Sequence, residues 1–90
     1  MTRRVEDSPK GEPLSYDLKV TFGRNVWSAR KKTGLSQAEM AKRTGLPQQY
    51  ISQIEAGKAN VTLETVALLA RVVDHEVTQL FEALTDRLKK

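Results

Sequence analysis

A chain of 90 residues makes one small domain, with room for a modest core and none for a second, ligand-sensing domain. The absence of cysteine excludes disulfides and thiolate metal sites and is compatible with a reducing compartment. The net charge of +4 is unevenly spread: residues 17–58 carry eight basic and three acidic side chains, residues 1–16 three of each, and residues 59–90 four basic and five acidic, so an anionic polymer would be drawn to the middle of the chain.

Residues 1–14 are polar, with Pro9, Pro13 and Gly11 and no apolar periodicity, and read as a disordered arm. They contain no apolar signal core, and the longest apolar run, Val66 to Ala70, is too short to span a bilayer. A cytoplasmic protein with no membrane partner is the expectation. A first helix is predicted from Asp17 to Lys32, because Leu18, Phe22, Val26 and Ala29 recur on one helical face. Trp27 stands one step off that stripe, where it covers a core edge or meets a partner. Gly34 suits the helix's C-terminal cap.

Ser36 is placed to cap a second helix, and Glu39 three residues later completes a capping box in which each side chain binds the other's backbone amide. Met40 and Ala41 point inward, and Gly45 ends the helix in a left-handed conformation that a side chain disfavours. A third helix begins near Pro47, whose fixed φ suits a first turn. Leu46, Tyr50 or Ile51, and Ile54 supply its buried face, and Gly57 stops it. A fourth helix is predicted from Thr62 to Val73, with Leu63, Val66, Ala67, Leu69 and Ala70 apolar, and Asp74-His75 forms a break. A fifth is predicted from Glu76 towards Leu88, with an apolar stripe at Val77, Leu80, Phe81, Leu84 and Leu88. The prediction is an all-α domain of five short helices over residues 15–81, with residues 82–90 as a helical extension.

Residues 34–57 carry the functional signal. Two short helices joined by a glycine-containing turn form a helix-turn-helix, the unit that lays its second helix in the DNA major groove. Here that helix turns Gln48, Gln49, Ser52 and Gln53 outward. A glutamine amide holds a donor and an acceptor side by side and bonds bidentately to adenine N6 and N7, so these residues are the candidate base readers.

The spaced pieces Gly34-Leu35-Ser36-Gln37, Met40-Ala41, Gly45-Leu46, Tyr50 through Gly57, Leu63-Glu64 and Leu80-Phe81 resemble the Cro/C1-type (XRE) helix-turn-helix regulators, over about two-thirds of the chain. The resemblance implies a compact lambda-repressor-like domain. The segment Pro47 to Gln53 is especially similar to the recognition helix of 434-type phage repressors, which implies base contacts from Gln48, Gln49 and Gln53. It also implies that Gln37 binds a phosphate at a helix N-terminus, with Ser36, Arg43 and Lys58 as phosphate neighbours. Tyr50 is bulky where many relatives carry a small residue; it is grouped with the phosphate contacts, with packing as the alternative. Pro47 departs from the usual Ser or Thr cap. A buried ion pair between Arg30 and Glu55, joining the first and third helices, is a further implication of the resemblance.

Leu80, Leu84 and Leu88 are the expected dimer interface: the start of their stripe closes the core, and Leu84 and Leu88 lie past the family's usual end. A frayed tail is the alternative. Catalysis is not expected, because there is no glycine-rich phosphate loop and no cysteine, and His75 has neither a nucleophile partner nor metal-ligand spacing. No metal, cofactor or small-molecule ligand is expected. The functional expectation is a sequence-specific, double-stranded-DNA-binding transcriptional regulator, a repressor, acting as a homodimer on an inverted repeat. Alternatives are an antitoxin with a toxin partner, a restriction-modification controller, or an adaptor that has lost DNA binding, which the polar recognition face argues against.

Overall fold

The computed structural model describes residues 14–82. Four α-helices, α1 (Leu14–Thr33), α2 (Gln37–Thr44), α3 (Gln48–Glu55) and α4 (Leu63–Val72), precede a short 3₁₀ helix (Val77–Phe81). No described residue is in a strand, and no helix among the described residues is long and apolar enough to cross a membrane. The all-α helix-turn-helix fold is as the sequence reading has it. Of the expected arm at residues 1–14 only Leu14 is described, and it is helical, as the first residue of α1; of the extension at 82–90 only Glu82 is described, and Leu84 and Leu88 lie outside the described residues.

Each helix ends where its chemistry dictates. At the end of α1 the amide of Leu35 donates to the Arg30 carbonyl and that of Gly34 to Lys31, both at 3.1 Å, which satisfies two carbonyls left over by the last turn. The same pair of bonds closes α3 at Gly57 and Lys58. α2 begins with the full capping box: Ser36 Oγ accepts from the Glu39 amide at 3.0 Å, and Glu39 Oε1 accepts from the Ser36 amide at 2.8 Å. Pro47 sits at the N-cap of α3 rather than in its first turn, with φ −61° and no side-chain cap, so Gln48 is the first helical residue.

The core gathers the inward faces of all five elements. Val26, Met40, Ile51, Leu69 and Leu80 are fully inaccessible, and Phe22 of α1 stacks on Phe81 with ring centroids 5.2 Å apart. Burial of side chains this size contributes roughly 1.5–3 kcal/mol each relative to exposure. Asn25 ties the last element down by donating its side-chain amide to the Leu80 carbonyl at 2.7 Å.

Several expectations need correction. The last described element begins as a 3₁₀ helix rather than as a regular α-helix, with Glu82 after it already α-helical and the rest of the predicted fifth helix outside the described residues; Glu76 caps it by exchanging bonds with Gln79. Leu80 is buried in its own domain's core at 0% exposure, so it cannot serve as a surface dimer contact. Val77 and Leu63 do not line the core, and Leu63 at the first position of α4 is 85% exposed. Leu18 and Ala67 are likewise exposed, and Trp27 lies outside the core with the Lys31 ammonium 5.5 Å above its ring.

Candidate nucleic-acid interface

α2 and α3 pack on each other through Met40, Ile51 and Ile54, and the turn between them is set by Thr44 and Gly45. Gly45 adopts φ 79° and donates its amide to the Ala41 carbonyl, which ends α2. Thr44 Oγ1 donates to the Met40 carbonyl at 2.8 Å and accepts from the Leu46 amide at 3.1 Å, fastening both sides of the turn. Sequence reasoning missed Thr44; its position beside a helix-ending glycine was the available signal.

With Ile51 and Ile54 buried, the opposite side of α3 is forced outward. Gln48, Gln49, Ser52 and Gln53 are all exposed, and at about 100° per residue they fall within one arc of roughly 140°. Three amides and one hydroxyl therefore share a single face and carry no net charge. None of these four side chains is held by a hydrogen bond among the described residues, and each has the donor and acceptor capacity a base edge requires.

The remaining candidate residues are distributed around that face. Ser36, Arg43 and Lys58 are exposed, at the head of α2, the last turn of α2 and the residue after Gly57. Ser36 Oγ accepts from the Glu39 amide, and its hydroxyl also stabilises the Glu39 carboxylate. Tyr50 behaves differently: it packs against the core, and its hydroxyl donates to the Asn60 carbonyl at 2.8 Å. That bond uses the only proton a phenol has, so in this arrangement Tyr50 braces the α3–α4 loop and has no donor left for a phosphate.

Beneath the face lies a polar centre joining three helices. Arg30 of α1 meets Glu55 of α3 side on, Nε to Oε2 at 2.6 Å and Nη2 to Oε1 at 3.0 Å, with both side chains almost wholly inaccessible. The third guanidinium edge, Nη1, donates to the Leu35 carbonyl at 2.9 Å. Gln37, first residue of α2, donates Nε2 to Glu55 Oε1 at 2.9 Å. The bond from Glu55 holds the Arg30 guanidinium pKa above its ordinary value against the opposing effect of burial. Gly23 is a second residue that sequence reasoning missed. It lies where α1 crosses the end of α3, against the backbone of Ile54, Glu55 and Gly57.

His75 donates Nδ1–H to the Val73 carbonyl at 2.8 Å, in keeping with a loop role, and no group of metal-ligating side chains occurs among the described residues.

A helix-turn-helix family model matches residues 28–74, just over half of the chain. The control protein C.SmaI of Serratia marcescens is 35% identical over 72 residues, which is 80% of this chain and 86% of that one. The crystal structure of the restriction-modification controller protein C.AhdI from Aeromonas hydrophila superposes with a TM-score of 0.67 at 38% identity, covering 72% of this chain and 97% of that one. The hypothetical transcription factor NHTF from Neisseria superposes with a TM-score of 0.73 at 30% identity, over 86% of this chain and 88% of that one. The family match spans α2, the turn and α3 in full, and the chain belongs to the helix-turn-helix family of Cro/C1-type regulators.

Proposed function

We propose that this protein is a cytoplasmic transcriptional regulator that reads double-stranded DNA as a homodimer on an inverted repeat. The observation that carries this reading is the exposed row Gln48, Gln49, Ser52 and Gln53 on a helix whose other side is locked in the core. Each α3 would enter a major groove, with half-sites about 34 Å apart. The glutamine amides of α3 choose the sequence, while Ser36, Gln37, Arg43 and Lys58 hold the backbone, and the two cations among these make affinity fall with salt. Binding over a promoter would repress by occlusion.

Selection of bound sequences from a random duplex library tests it, with Gln48→Ala and Gln49→Ala run in parallel. A palindromic motif is expected, and each substitution should relax the positions its side chain reads, at about 1–3 kcal/mol of discrimination. Weak binding with no motif, or motifs identical in all three proteins, counts against the reading.

A more specific version is favoured by two of the similar proteins being a control protein and a restriction-modification controller. In that version the operator lies upstream of this protein's own gene, beside genes for a methyltransferase and an endonuclease. Footprinting on that upstream DNA decides between this and a general regulator.

A further inference from the structure

We infer that Glu55 is a positioning residue for the phosphate contact: its Oε1 aims the amide of Gln37 at the DNA backbone, so that the recognition helix and the head of α2 engage DNA as one unit. The inference rests on the DNA-binding reading above and adds to it a coupling between base and backbone contacts.

The argument begins with where the carboxylate sits. Glu55 is the last residue of α3, at the end of a helix where the free carbonyls already carry partial negative charge, so an acid there is unfavourable unless neutralised. Arg30 neutralises it through two bonds, and the same guanidinium fixes the Leu35 carbonyl two residues before Gln37. An ion pair alone needs no more than this. Yet Oε1 also accepts from Gln37 Nε2 at 2.9 Å.

That third bond has a consequence for DNA. A glutamine has three rotatable torsions and, left free at a helix start, samples many orientations of its amide. Here the connector before it is held by Arg30 and its side chain by Glu55, so both ends of the residue are fixed by the same pair. The bond also fixes which end of the amide faces inward. Nε2 is turned to Glu55, and its second N–H is left over, beside the unpaired amides that every helix start presents. A phosphate oxygen accepts hydrogen bonds and never donates, so this donor set is its complement. Because Glu55 belongs to α3, the helix bearing Gln48, Gln49 and Gln53, the backbone contact is held in register with the base contacts.

The test uses the full chain and a duplex carrying the selected operator. Replacing Arg30→Met and Glu55→Leu together removes the tether without leaving a buried unpaired charge, and unfolding curves check that the variant is folded. Operator affinity is measured for the wild type, Gln37→Ala, the Arg30→Met/Glu55→Leu protein and the triple variant. Gln37→Ala and the pair replacement are each expected to weaken binding by about tenfold without changing the selected motif, and the triple variant by no more than either. In the free wild-type protein the Gln37 side-chain amide protons should have distinct NMR shifts that move to ordinary values in the pair replacement. The inference is overturned if the pair replacement binds like wild type, or if the two losses multiply to about a hundredfold in the triple variant. Failure of the wild type to bind any operator overturns the DNA-binding reading itself, and is distinguishable because no variant is needed to see it.

Discussion

The Cα of Gly23 lies directly against the carbonyl of Ile54: a Cβ there would fall inside the contact distance of that oxygen, and 3.1 Å from both the Glu55 oxygen and the Gly57 nitrogen. All three neighbours are backbone, so none can swing aside as a side chain would. In an isolated helix Gly23→Ala would be favourable, by about 1 kcal/mol of helix propensity. In this fold it must push α1 off the end of α3, and overpacking of this kind costs about 1–3 kcal/mol. Chemical denaturation of Gly23→Ala should therefore show a loss of stability. A gain would mean that the two helices do not cross this closely.

The Arg30–Glu55 pair separates the cost of breaking a buried charge from the worth of having one. Arg30→Met alone strands the Glu55 carboxylate and is expected to cost about 3–5 kcal/mol, as is Glu55→Leu alone. The combined replacement should recover most of that, because neither charge then has to be held out of water. Unfolding midpoints for the four proteins give the answer directly. Single replacements costing under about 1 kcal/mol would place the pair in the solvated class.

Asp74 has φ 60°, and it is the non-glycine residue among those described that adopts a left-handed conformation. It stands just past α4, where its amide donates to the Arg71 carbonyl at 3.1 Å and that of His75 to Ala70 at 2.8 Å. This repeats the closure used at Gly34 and Gly57, with a side chain where the others have none. Asp74→Gly should raise stability by roughly 1 kcal/mol, read as a higher midpoint with an unchanged denaturant slope. A lower midpoint would show that the Asp74 side chain contributes more than its backbone strain takes away.

The helix ends and the recognition row were legible because both rest on local chemistry. Ser36 with Glu39, the glycines at 34, 45 and 57, and the period that buries Ile51 and Ile54 leave the outward face of α3 little choice. What could not be read depends on contacts between distant segments. Nothing local to Gly23 announces that α3 ends against it. Leu80 looked available for a partner because its stripe continues through Leu84 and Leu88, yet the Phe22–Phe81 stack and the Asn25 bond draw it into the core. Tyr50 looked free to touch DNA because its partner, the Asn60 carbonyl, lies in a loop of no evident pattern. Leu63 shows the converse: an apolar residue in a helical stripe that is left exposed at the first position of α4.

Glu39 gives a pH dependence whose direction is fixed. The Ser36 backbone amide, then the Ser36 hydroxyl, hold its carboxylate below the usual glutamate range. A carboxyl depressed on folding contributes stability that is fully present above its unfolded pKa of about 4.3 and is lost as pH falls through the folded value. Glu39→Gln keeps an acceptor for the box but cannot titrate. The wild type should therefore be the more stable of the two at neutral pH, with the difference constant down to about pH 5.5 and shrinking below it. Paired unfolding curves across that range measure it; a difference that grows on acidification would contradict the capping geometry.

Charge and amide should leave different signatures in DNA binding, and salt separates them. Arg43 and Lys58 are exposed cations just before and just after α3 in the chain, while Gln48, Gln49 and Gln53 are neutral. A cation that neutralises a phosphate releases a counterion, so removing it lowers the steepness of log affinity against log salt by about 1. Arg43→Ala and Lys58→Ala should each do this while weakening operator and random duplex alike. Gln53→Ala should leave the salt slope where it was and reduce only the preference for operator over random DNA, because an amide displaces no counterion and acts through the base edge alone. Fluorescence anisotropy titrations at several salt concentrations on both duplexes distinguish the two classes. A cation variant that loses sequence preference without losing slope would move that residue from the backbone to the bases.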